Sequence, residues 1–333
     1  MEKPKIIVIL GPTATGKSDL AVKIAKKIKG LKHGHTVFGQ GEIISADSRQ
    51  VYKGLNIGTG KISKKEMRGV PHYLLDVISP NKIFSVSEWK KLAEEKIMDI
   101  IARGKTPIIV GGTGFYIQSI VDNIILPEVP PNKNLRKKLT KVRPSQLFSI
   151  LKKLDPGRAR EIAKEKGSKN PVRLIRAIEI ATTLGKVPSL NSRRQSSGRL
   201  DEYEFLQIGL TASPEILRKR IHIRLLARIR RGMIGEARKL HKNGLSYKRM
   251  RGLGLEYRYL ADFLEDLPSY KATARQRKIL KMKLISKLDR EIYQYAKRQM
   301  TWFKRDKKIQ WFDVGEKRIK EKEILGKVMK MLS

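Results

Sequence analysis

The stretch that most constrains the fold lies near the start of the chain, where a short apolar run leads into a glycine-rich loop and then a helical pattern. The run KIIVIL (5–10) is typical of a buried strand, and SDLAVKIAKKIK (18–29) has the spacing of an amphipathic helix. Between them, GPTATGKS (11–18) fits G-x-x-x-x-G-K-[ST] at every specified position. This order predicts a P-loop α/β fold.

A loop of this kind binds phosphates, because its backbone N–H groups and the N-terminus of the following helix form a nest for anions. Lys17 is expected to reach the distal phosphate, and Ser18 is the candidate ligand for Mg²⁺. The candidate phosphate-binding residues are Gly11, Pro12, Thr13, Ala14, Thr15, Gly16, Lys17 and Ser18. The loop alone leaves open whether the phosphates belong to ATP or to a group that leaves.

The rest of the first third alternates apolar runs with helical patterns. Strand patterns cover 41–47, 72–78 and 106–112, and a helical pattern with a Gly stop covers 85–104. The alternation predicts βαβ units and therefore a P-loop NTPase-like parallel sheet with helices on both faces. Ligands bind at the carboxyl ends of such strands, so this edge should gather the loop 11–18, Asp47 and Gly111–Gly114.

The character of the chain changes near residue 123. LPEVPPNKNLRKKL (126–139) is Pro-rich and then basic, and residues 133–176 hold 15 Lys or Arg against three acids. SLNSRRQSSGR (189–199) is typical of a polar linker, and YEFLQIGL (203–210) returns to a strand pattern. We therefore expect a P-loop core at 1–122, a small, basic, mostly helical insertion domain at 123–199, a mostly helical continuation of the core at 200–315, and a basic helical tail at 316–333.

Charge is the outstanding feature of the composition. The chain has 73 Lys and Arg against 32 Asp and Glu, a formal net charge of +41. This excess favours a polyanionic partner such as nucleic acid, with a generally basic proteome or simple solubility as the alternative. The absence of cysteine excludes disulfides and thiol catalysis. No apolar run reaches membrane-spanning length, so we expect a soluble cytoplasmic protein without a membrane partner, by default a monomer.

SADSRQVYKGLNIGTGK (45–61) follows the second predicted strand and places a carboxylate beside the phosphate loop. Asp47 can face the reacting centre, while Ser48, Arg49 and Gln50 add donors and an amide suited to the edge of a base. A capped turn leading into a helix is the alternative, although such a turn would not need Arg49 and Gln50 together.

The strand pattern TPIIV (106–110) ends in glycine rather than in a carboxylate. Gly111 and Gly112 stand where an ATPase usually carries the Asp that organises Mg²⁺ and the hydrolytic water. Asp76, inside YLLDV, is expected to be buried structure or a cap. Thr113 is the polar group at this edge, although VGGTGFY (110–116) is also compatible with a simple tight turn.

A stripe of cations is predicted on one helix in LRKRIHIRLLARIRRGM (217–233). Its arginines are Arg220, Arg224, Arg228 and Arg231, at spacings of four, four and three. Like charges at these spacings destabilise a helix, and no acid is interleaved before Glu236. The stripe is therefore expected to face phosphate, from a small substrate or from a nucleic-acid backbone.

A second basic segment, IYQYAKRQMTWFKRD (292–306), interleaves aromatic and basic side chains. The aromatic members are Tyr293, Tyr295, Trp302 and Phe303, and the basic ones include Lys297, Arg298 and Lys304. Such interleaving suits stacking on RNA, and aromatics at helical spacing suit a core equally well. The sequence leaves both readings open.

Taken together, these motifs resemble the bacterial tRNA dimethylallyltransferases, which act on the adenosine beside the anticodon. The matching stretches, in the family's order between about residues 6 and 313, are GPTATGKS, SADSRQVYKGLNIGTGK, GVPHYLLDVISP, PIIVGGTGFYIQ, NPVRLIRAIEI and AKRQMTWFK. No single stretch is unique to the family, but six in order make the resemblance specific.

The resemblance implies that the phosphates are those of dimethylallyl diphosphate, bound with Mg²⁺ by Gly11–Ser18, and that the dimethylallyl group is transferred to N6 of adenosine 37 to give isopentenyladenosine. It implies that Asp47 is the general base, that Thr13 contacts the diphosphate near its bridging oxygen, and that Arg224 steadies the developing charge. The implied contacts with the tRNA anticodon stem-loop are Asp47, Ser48, Arg49, Gln50, Thr113, Arg136, Val172, Arg173, Leu174, Ile175 and Arg176.

Several positions depart from the family pattern. Asn56 stands where the family usually has Asp, Gly60 and Ile62 replace the usual Ala and Pro, and Arg228 replaces an apolar residue. GLGLEYRY (252–259) follows the usual I-G-Y-K-E only loosely. None of these departures removes a residue assigned to the chemistry.

Three other functions compete with this one. An adenylate isopentenyltransferase would prenylate a free nucleotide and would not need the basic insertion. A P-loop nucleoside or small-molecule kinase would turn over ATP. A non-enzymatic RNA-binding P-loop protein would leave Asp47 and Arg224 without a chemical role.

Overall fold

A computed structural model describes residues 3–33, 36–164, 167–188, 202–266 and 273–315, together with residues 322, 325, 326, 329 and 330. The polar linker expected at 189–199 and most of the tail expected at 316–333 lie outside these described residues. The chain divides into two compact units. The first is Met1–Val121 with Arg199–Ser333, and the second is Asp122–Gly198.

A six-stranded parallel sheet forms the centre of the first unit, in the order β5-β4-β6-β1-β7-β8. Its strands are β1 (Lys5–Leu10), β4 (Gly41–Ala46), β5 (His72–Tyr73), β6 (Thr106–Gly111), β7 (Glu204–Thr211) and β8 (Gln310–Asp313). Two short strands, β2 (Lys32–His33) and β3 (Thr36–Val37), form a separate antiparallel pair. The predicted parallel α/β sheet is confirmed.

Thirteen helices have both of their ends among the described residues. They are α1 (Lys17–Lys27), α2 (Lys64–Met67), α3 (Val86–Ala102), α4 (Gly114–Val121), α5 (Lys133–Leu139), α6 (Pro144–Leu154), α7 (Pro156–Lys164), α8 (Pro171–Leu184), α9 (Pro214–Arg230), α10 (Met233–Lys242), α11 (Tyr247–Arg251), α12 (Leu255–Glu265) and α13 (Ala274–Phe303). None of the described helices is both long and apolar enough to cross a membrane.

Both faces of the sheet are covered, as the unbroken apolar run of β1 requires. Alternate side chains of a strand point to opposite faces. Ile7 and Ile9 belong to one core cluster with the buried face of α1, whereas Ile6 and Val8 belong to another with α3, α9 and α13. The expectation of helices on both faces is therefore confirmed, and the carboxyl ends of the strands remain available for a ligand.

Two details of the strand prediction are wrong. The strand expected at 72–78 ends at Tyr73, because Leu74 and Asp76 have positive φ angles of 60° and 53° and turn the chain out of the sheet. Asp76 is exposed rather than buried, and its carboxylate pairs with Lys61 Nζ at 2.6 Å. The edge strand β8 was not predicted, since its four residues, QWFD, are too short to give a pattern.

The second unit is helical in its described part and contains α5, α6, α7 and α8. Its core is formed by apolar side chains from these four helices, including Leu147, Leu151, Ile162 and Leu174, each of which is fully buried. Asn132 caps α5 and Asn170 caps α8, each accepting a backbone N–H three residues later. The unit thus has a core and helix caps of its own.

Candidate active site

A cavity of about 1190 Å³ opens within the first unit at the carboxyl edge of the sheet. Its wall includes the phosphate loop, residues 47–50 after β4, the segment 56–62, and parts of α9 and α13. The structure therefore brings together Asp47, the loop 11–18 and Arg224, which the sequence separates by up to about 200 positions.

Glycine at two positions lets the phosphate loop adopt its shape. At Gly11 φ is +135°, and a Cβ there would lie 2.3 Å from the Leu210 carbonyl oxygen, so no other residue fits. Gly16 has φ +87° and forms the N-cap of α1. The backbone thus turns sharply out of β1 and presents the first N–H groups of α1 to the cavity.

Side chains close the loop on itself. Lys17 Nζ donates to the Pro12 carbonyl at 2.6 Å, and Thr15 Oγ1 donates to the same oxygen at 2.9 Å. Among the described residues no carboxylate forms an ion pair with Lys17. Its ammonium is therefore held by one backbone dipole, which an anionic ligand can outcompete.

The electrostatics of the cavity favour an anion. Burial, followed by repulsion from Arg224, lowers the pKa of Lys17 to about 7, while Asp47 acts in the opposite direction. Solvent in the cavity reaches Arg224, yet desolvation and then the charge of Arg228 lower the pKa of its guanidinium as well. An anion bound between Lys17 and Arg224 would relieve both effects.

Asp47 lies directly after β4 and is one of the carboxylates that line the cavity. Its Oδ1 accepts backbone N–H bonds from Arg49 at 2.8 Å and from Gln50 at 3.3 Å, which closes a tight turn. Burial nevertheless raises the pKa of Asp47 and outweighs these two bonds. A carboxylate in this state is a stronger proton acceptor than one in water.

Thr113 has a different place from the residues beside Asp47. Ser48, Arg49 and Gln50 line the cavity, but Thr113 does not. Instead its Oγ1 accepts the backbone N–H of Ser48 at 3.0 Å, which ties the end of β6 to the turn after β4. Thr113 therefore supports the turn that carries Asp47.

The four arginines of the predicted stripe all line the cavity, but two of them bind protein groups. Arg220 donates to the Val314 and Gly315 carbonyls. Arg228 donates to the Gly58 carbonyl at 2.8 Å and to Glu256 Oε1 at 3.0 Å. The prediction that the whole stripe faces phosphate is wrong for these two.

Sequence reasoning missed the carboxylate that holds the segment 56–60. Glu236 accepts the backbone N–H groups of Asn56, Ile57 and Gly58 at 2.8–3.0 Å, and its other donor is Tyr257 Oη at 2.6 Å. Glu236 stood out only as the first acid after the arginine stripe. Three consecutive N–H groups on one carboxylate fix the start of this segment, whose Gly60 lies beside Arg224.

Two departures from the family pattern meet in this wall. Arg228 and Glu256, which the sequence places 28 positions apart, form an ion pair at 3.0 Å. Tyr257, the next residue, is buried and donates to Glu236. The unusual residues therefore support one another at the cavity edge, and they leave Asp47, Lys17 and Arg224 in place.

The aromatic residues near the end of α13 divide between core and cavity. Phe303 is buried in the core, and Tyr293 packs partly against it under the guanidinium of Arg218. Tyr295 lines the cavity, and Trp302 is half-exposed. Gln299, which the sequence reading passed over between them, accepts the Thr13 backbone N–H at 2.9 Å.

In the second unit, the predicted tRNA-binding residues differ in what they can offer. Arg136 binds both oxygens of the buried Glu179 at 2.6 Å, and Arg176 adds a longer bond at 3.3 Å. The side chains of Leu174 and Ile175 are buried in the core of the unit, so of these two residues only the backbone is left to contact RNA. Val172 is 76% exposed.

The described residues contain no cluster of three or more His, Asp or Glu side chains that could hold a metal ion. Ser18 lines the cavity and offers one hydroxyl oxygen. This set fits a Mg²⁺ ion that takes most of its oxygens from water and from a ligand's phosphates, which is how the ion is usually held at phosphate sites.

The cavity thus combines a cationic phosphate loop with Asp47, a carboxylate whose raised pKa suits it to accept a proton. The end of β6 carries glycines at 111 and 112, so no carboxylate stands there to organise a hydrolytic water. This arrangement suits the transfer of a group from a phosphate-bearing donor to an acceptor that loses a proton to Asp47.

Comparison with known sequences identifies close relatives along nearly the whole chain. The tRNA dimethylallyltransferase of Anoxybacillus flavithermus is 37% identical over 321 residues, which are 96% of this chain and 94% of that protein. The tRNA dimethylallyltransferase of Geobacillus thermodenitrificans is 38% identical over 317 residues, or 94% of this chain and 91% of that protein.

Solved structures give the same result. The full-length tRNA isopentenylpyrophosphate transferase of Bacillus halodurans matches with a TM-score of 0.66 and 31% identity, over 99% of this chain and 96% of its own. A eukaryotic dimethylallyltransferase acting on tRNA matches with a TM-score of 0.71 and 26% identity, over 94% of this chain and 74% of its own. A family model described as IPP transferase matches residues 50–306. On this evidence of sequence and structure, the chain belongs to the IPP transferase family.

Proposed function

We propose that this enzyme transfers the dimethylallyl group of dimethylallyl diphosphate to N6 of adenosine 37 in tRNA and releases diphosphate. The observation that carries the proposal is that Asp47 shares one cavity with Lys17 and Arg224, neither of which forms an ion pair among the described residues. The names of the relatives, tRNA dimethylallyltransferases, support the same substrates.

The phosphate loop is proposed to hold the leaving diphosphate. Backbone N–H groups of Ala14–Ser18, the ammonium of Lys17 and the guanidinium of Arg224 would stabilise negative charge as the C–O bond breaks. Thr13 is proposed to contact the diphosphate near its bridging oxygen. Mg²⁺, held by Ser18 and the phosphates, would supply further neutralisation of the same charge.

Asp47 is proposed to accept the proton of the nucleophile. The exocyclic amine N6 forms a bond to the allylic carbon, loses one N–H proton to the carboxylate, and the bridging C–O electrons leave with the diphosphate. An exocyclic amine is a poor nucleophile, so a carboxylate whose pKa is raised assists this step. All of these groups come from one chain, so the reaction needs no second copy.

Adenosine 37 must leave the stacked anticodon loop to reach Asp47. Extruding a base costs on the order of a few kcal/mol, which cationic contacts to the anticodon stem-loop would offset. Ser48, Arg49 and Gln50 are proposed to contact the extruded adenine or its neighbours, with Thr113 holding Ser48 in place. In the second unit, the proposed contacts are Arg136, Val172, Arg173 and Arg176.

One labelling experiment separates this function from its rivals. The protein is incubated with Mg²⁺ and labelled dimethylallyl diphosphate, and with unmodified tRNA carrying A36-A37-A38, with AMP, or in parallel with ATP and candidate acceptors. We expect label on tRNA alone and no turnover of ATP. Label on AMP but never on tRNA would overturn the proposal in favour of an adenylate isopentenyltransferase, and phosphate transfer from ATP would favour a kinase.

A further inference from the structure

One buried amide links the phosphate loop to the end of a strand. Gln299 is 7% exposed and lies near the end of the long helix α13. Its Oε1 accepts the Thr13 backbone N–H at 2.9 Å, and its Nε2 donates to the Gly112 carbonyl at 2.8 Å. A single side chain therefore joins two cavity segments that are about 100 residues apart in the sequence.

The glycines after β6 leave the space that this contact needs. A Cβ at Gly112 would lie 2.2 Å from Gln299 Nε2, and a Cβ at Gly114 would lie 2.2 Å from Trp302 Cδ1. Neither glycine has a positive φ, so backbone conformation does not explain them. The close approach of α13 explains them. These glycines of VGGTGFY are therefore required for packing against α13 and not only for a tight turn.

The connection continues to the carboxylate of the site. Thr113, the residue after Gly112, accepts the Ser48 N–H at 3.0 Å, and Ser48 follows Asp47. Hydrogen bonds and short backbone links thus run from Thr13 through Gln299 and Gly112 to the turn that holds Asp47. In the proposed reaction Thr13 is assigned to the leaving diphosphate and Asp47 to the attacking amine. The two residues therefore lie at the bond that breaks and at the bond that forms.

We propose that Gln299 is a positioning residue that sets the distance between the phosphate loop and Asp47. The inference rests on the proposed function, in which the diphosphate sits at the loop and the nucleophile at Asp47. Rates of such reactions are sensitive to displacements of about 1 Å between reacting groups. Only an uncharged amide of this length serves both partners, because Thr13 offers a donor and Gly112 an acceptor.

The test compares two methionine variants on the same helix. Gln299→Met keeps the length of the side chain and loses both hydrogen bonds, and Gln294→Met changes an exposed glutamine five residues earlier. Single-turnover transfer is measured with saturating dimethylallyl diphosphate and tRNA, per folded molecule and well below the melting temperature. We expect Gln299→Met to lower the rate by about 10- to 100-fold, with tRNA affinity within about twofold. Gln294→Met should match the unmodified protein.

A second variant moves the amide without removing it. Gly112→Ala should push Gln299 aside and lower the rate by a similar factor, but in a Gln299→Ala background the new methyl group has room and should cost little more. This loss of additivity is the signature of direct coupling between the two positions. Additive losses, or a Gln299→Met rate within twofold of Gln294→Met, would overturn the inference.

A readout independent of activity separates this inference from the proposed function. Hydrogen exchange in the segment 11–16 should speed up in Gln299→Met and stay unchanged in Gln294→Met, because the Thr13 amide loses its partner. Absence of transfer by the unmodified protein would contradict the proposed function alone. Unchanged exchange together with unchanged rates would contradict the positioning role alone.

Discussion

The two units of the molecule differ in whether their charged side chains form ion pairs within the protein. In the second unit the buried carboxylate of Glu179 accepts bonds from Arg136, Arg176 and the Asn132 N–H. In the cavity of the first unit, no described residue forms an ion pair with Lys17, Arg224 or Asp47. The first arrangement is complete without a ligand, and the second is not.

The shifts in pKa express the same difference. Burial works to raise the pKa of Glu179, but the Arg136 guanidinium and the Asn132 N–H outweigh it and hold that pKa below its usual value. For Asp47 burial wins and the pKa is raised. A buried charge that is paired within the protein is costly to leave without its partner, whereas charges that lack an ion pair in a cavity are available to bind and react.

Helix α9 contains the contrast within one turn. Arg228 binds Gly58 and Glu256 and completes the cavity wall, while Arg224, one turn earlier, forms no ion pair among the described residues. The regular four-residue spacing of the arginines in α9 does not reveal this difference. A partner 28 residues away, rather than the local pattern, decides which arginine is structural.

The largest effect is expected from Asp47. Asp47→Asn keeps an Oδ1 to accept the Arg49 N–H, so the turn should survive, but it removes the proton acceptor. Transfer to tRNA should fall by about 10²- to 10⁴-fold, the usual contribution of a general base. Asp47→Ala should abolish transfer, and filter binding should show tRNA still bound by both variants.

A matched control comes from the paired carboxylate. Glu179→Gln in the second unit should affect stability, and the affinity for tRNA through Arg136 and Arg176, rather than the rate per folded molecule at saturating tRNA. If Asp47→Asn retained turnover near the unmodified rate, the role of Asp47 as general base would be wrong.

The next largest effect is expected at Arg224. Arg224→Gln should lower the transfer rate by about 10²- to 10³-fold, since an aligned donor to the leaving anion is lost. It should leave the free energy of unfolding unchanged or slightly higher, because a desolvated cation beside Lys17 and Arg228 is removed. Single-turnover kinetics and urea denaturation of the same preparation measure both.

Arg228→Gln is the comparison for that variant. It should destabilise the protein by leaving Glu256 without its partner, and change the rate less than Arg224→Gln does. The opposite order of rates would reverse the assignment of the two arginines.

Much of the fold, and part of the candidate site, could be predicted from the sequence. The strand–loop–helix order at residues 5–29 predicted the fold class, and the strand ends predicted that Asp47 lies beside the phosphate loop. Those features depend on local chemistry: glycine where φ is positive, apolar runs where both faces are buried. The boundary near residue 123 showed itself as a change in composition.

What could not be predicted depends on partners distant in sequence. The local sequence does not reveal the role of Gln299, because its hydrogen-bond partners, Thr13 and Gly112, are up to 286 positions away. Leu174 and Ile175 lie in a matching motif, but only the helix packing shows that their side chains are buried. The strand expected at 72–78 failed because an apolar run does not reveal the left-handed turn at Leu74.

A smaller effect, on stability, is expected in the second unit. Arg136→Gln removes both bonds to Glu179, a carboxylate that is 1% exposed. Arg136 itself is 39% exposed and Arg176 remains, so the loss should be about 1–3 kcal/mol rather than the full cost of an isolated buried charge. Thermal denaturation of Arg136→Gln and of exposed-site Lys137→Gln gives the comparison. Equal melting temperatures would show that Glu179 does not need the pair.

The smallest effect concerns the pH dependence of diphosphate binding. The pKa of Lys17 is about 7 without a ligand, and a bound diphosphate stabilises the ammonium and raises that pKa. Below pH 7 Lys17 is already protonated, so it adds no pH dependence there. Above pH 7 binding must take up a proton, and affinity should fall by up to about tenfold per pH unit.

Calorimetry in two buffers of different ionisation enthalpy measures this proton directly. With dimethylallyl diphosphate at pH 8, uptake should approach about one proton per molecule bound. Lys17→Arg keeps its charge throughout this range, so uptake should vanish in that variant. Equal uptake by both proteins would mean that Lys17 is protonated before the ligand arrives. Burial and the charge of Arg224 would then lower the pKa of Lys17 less than expected.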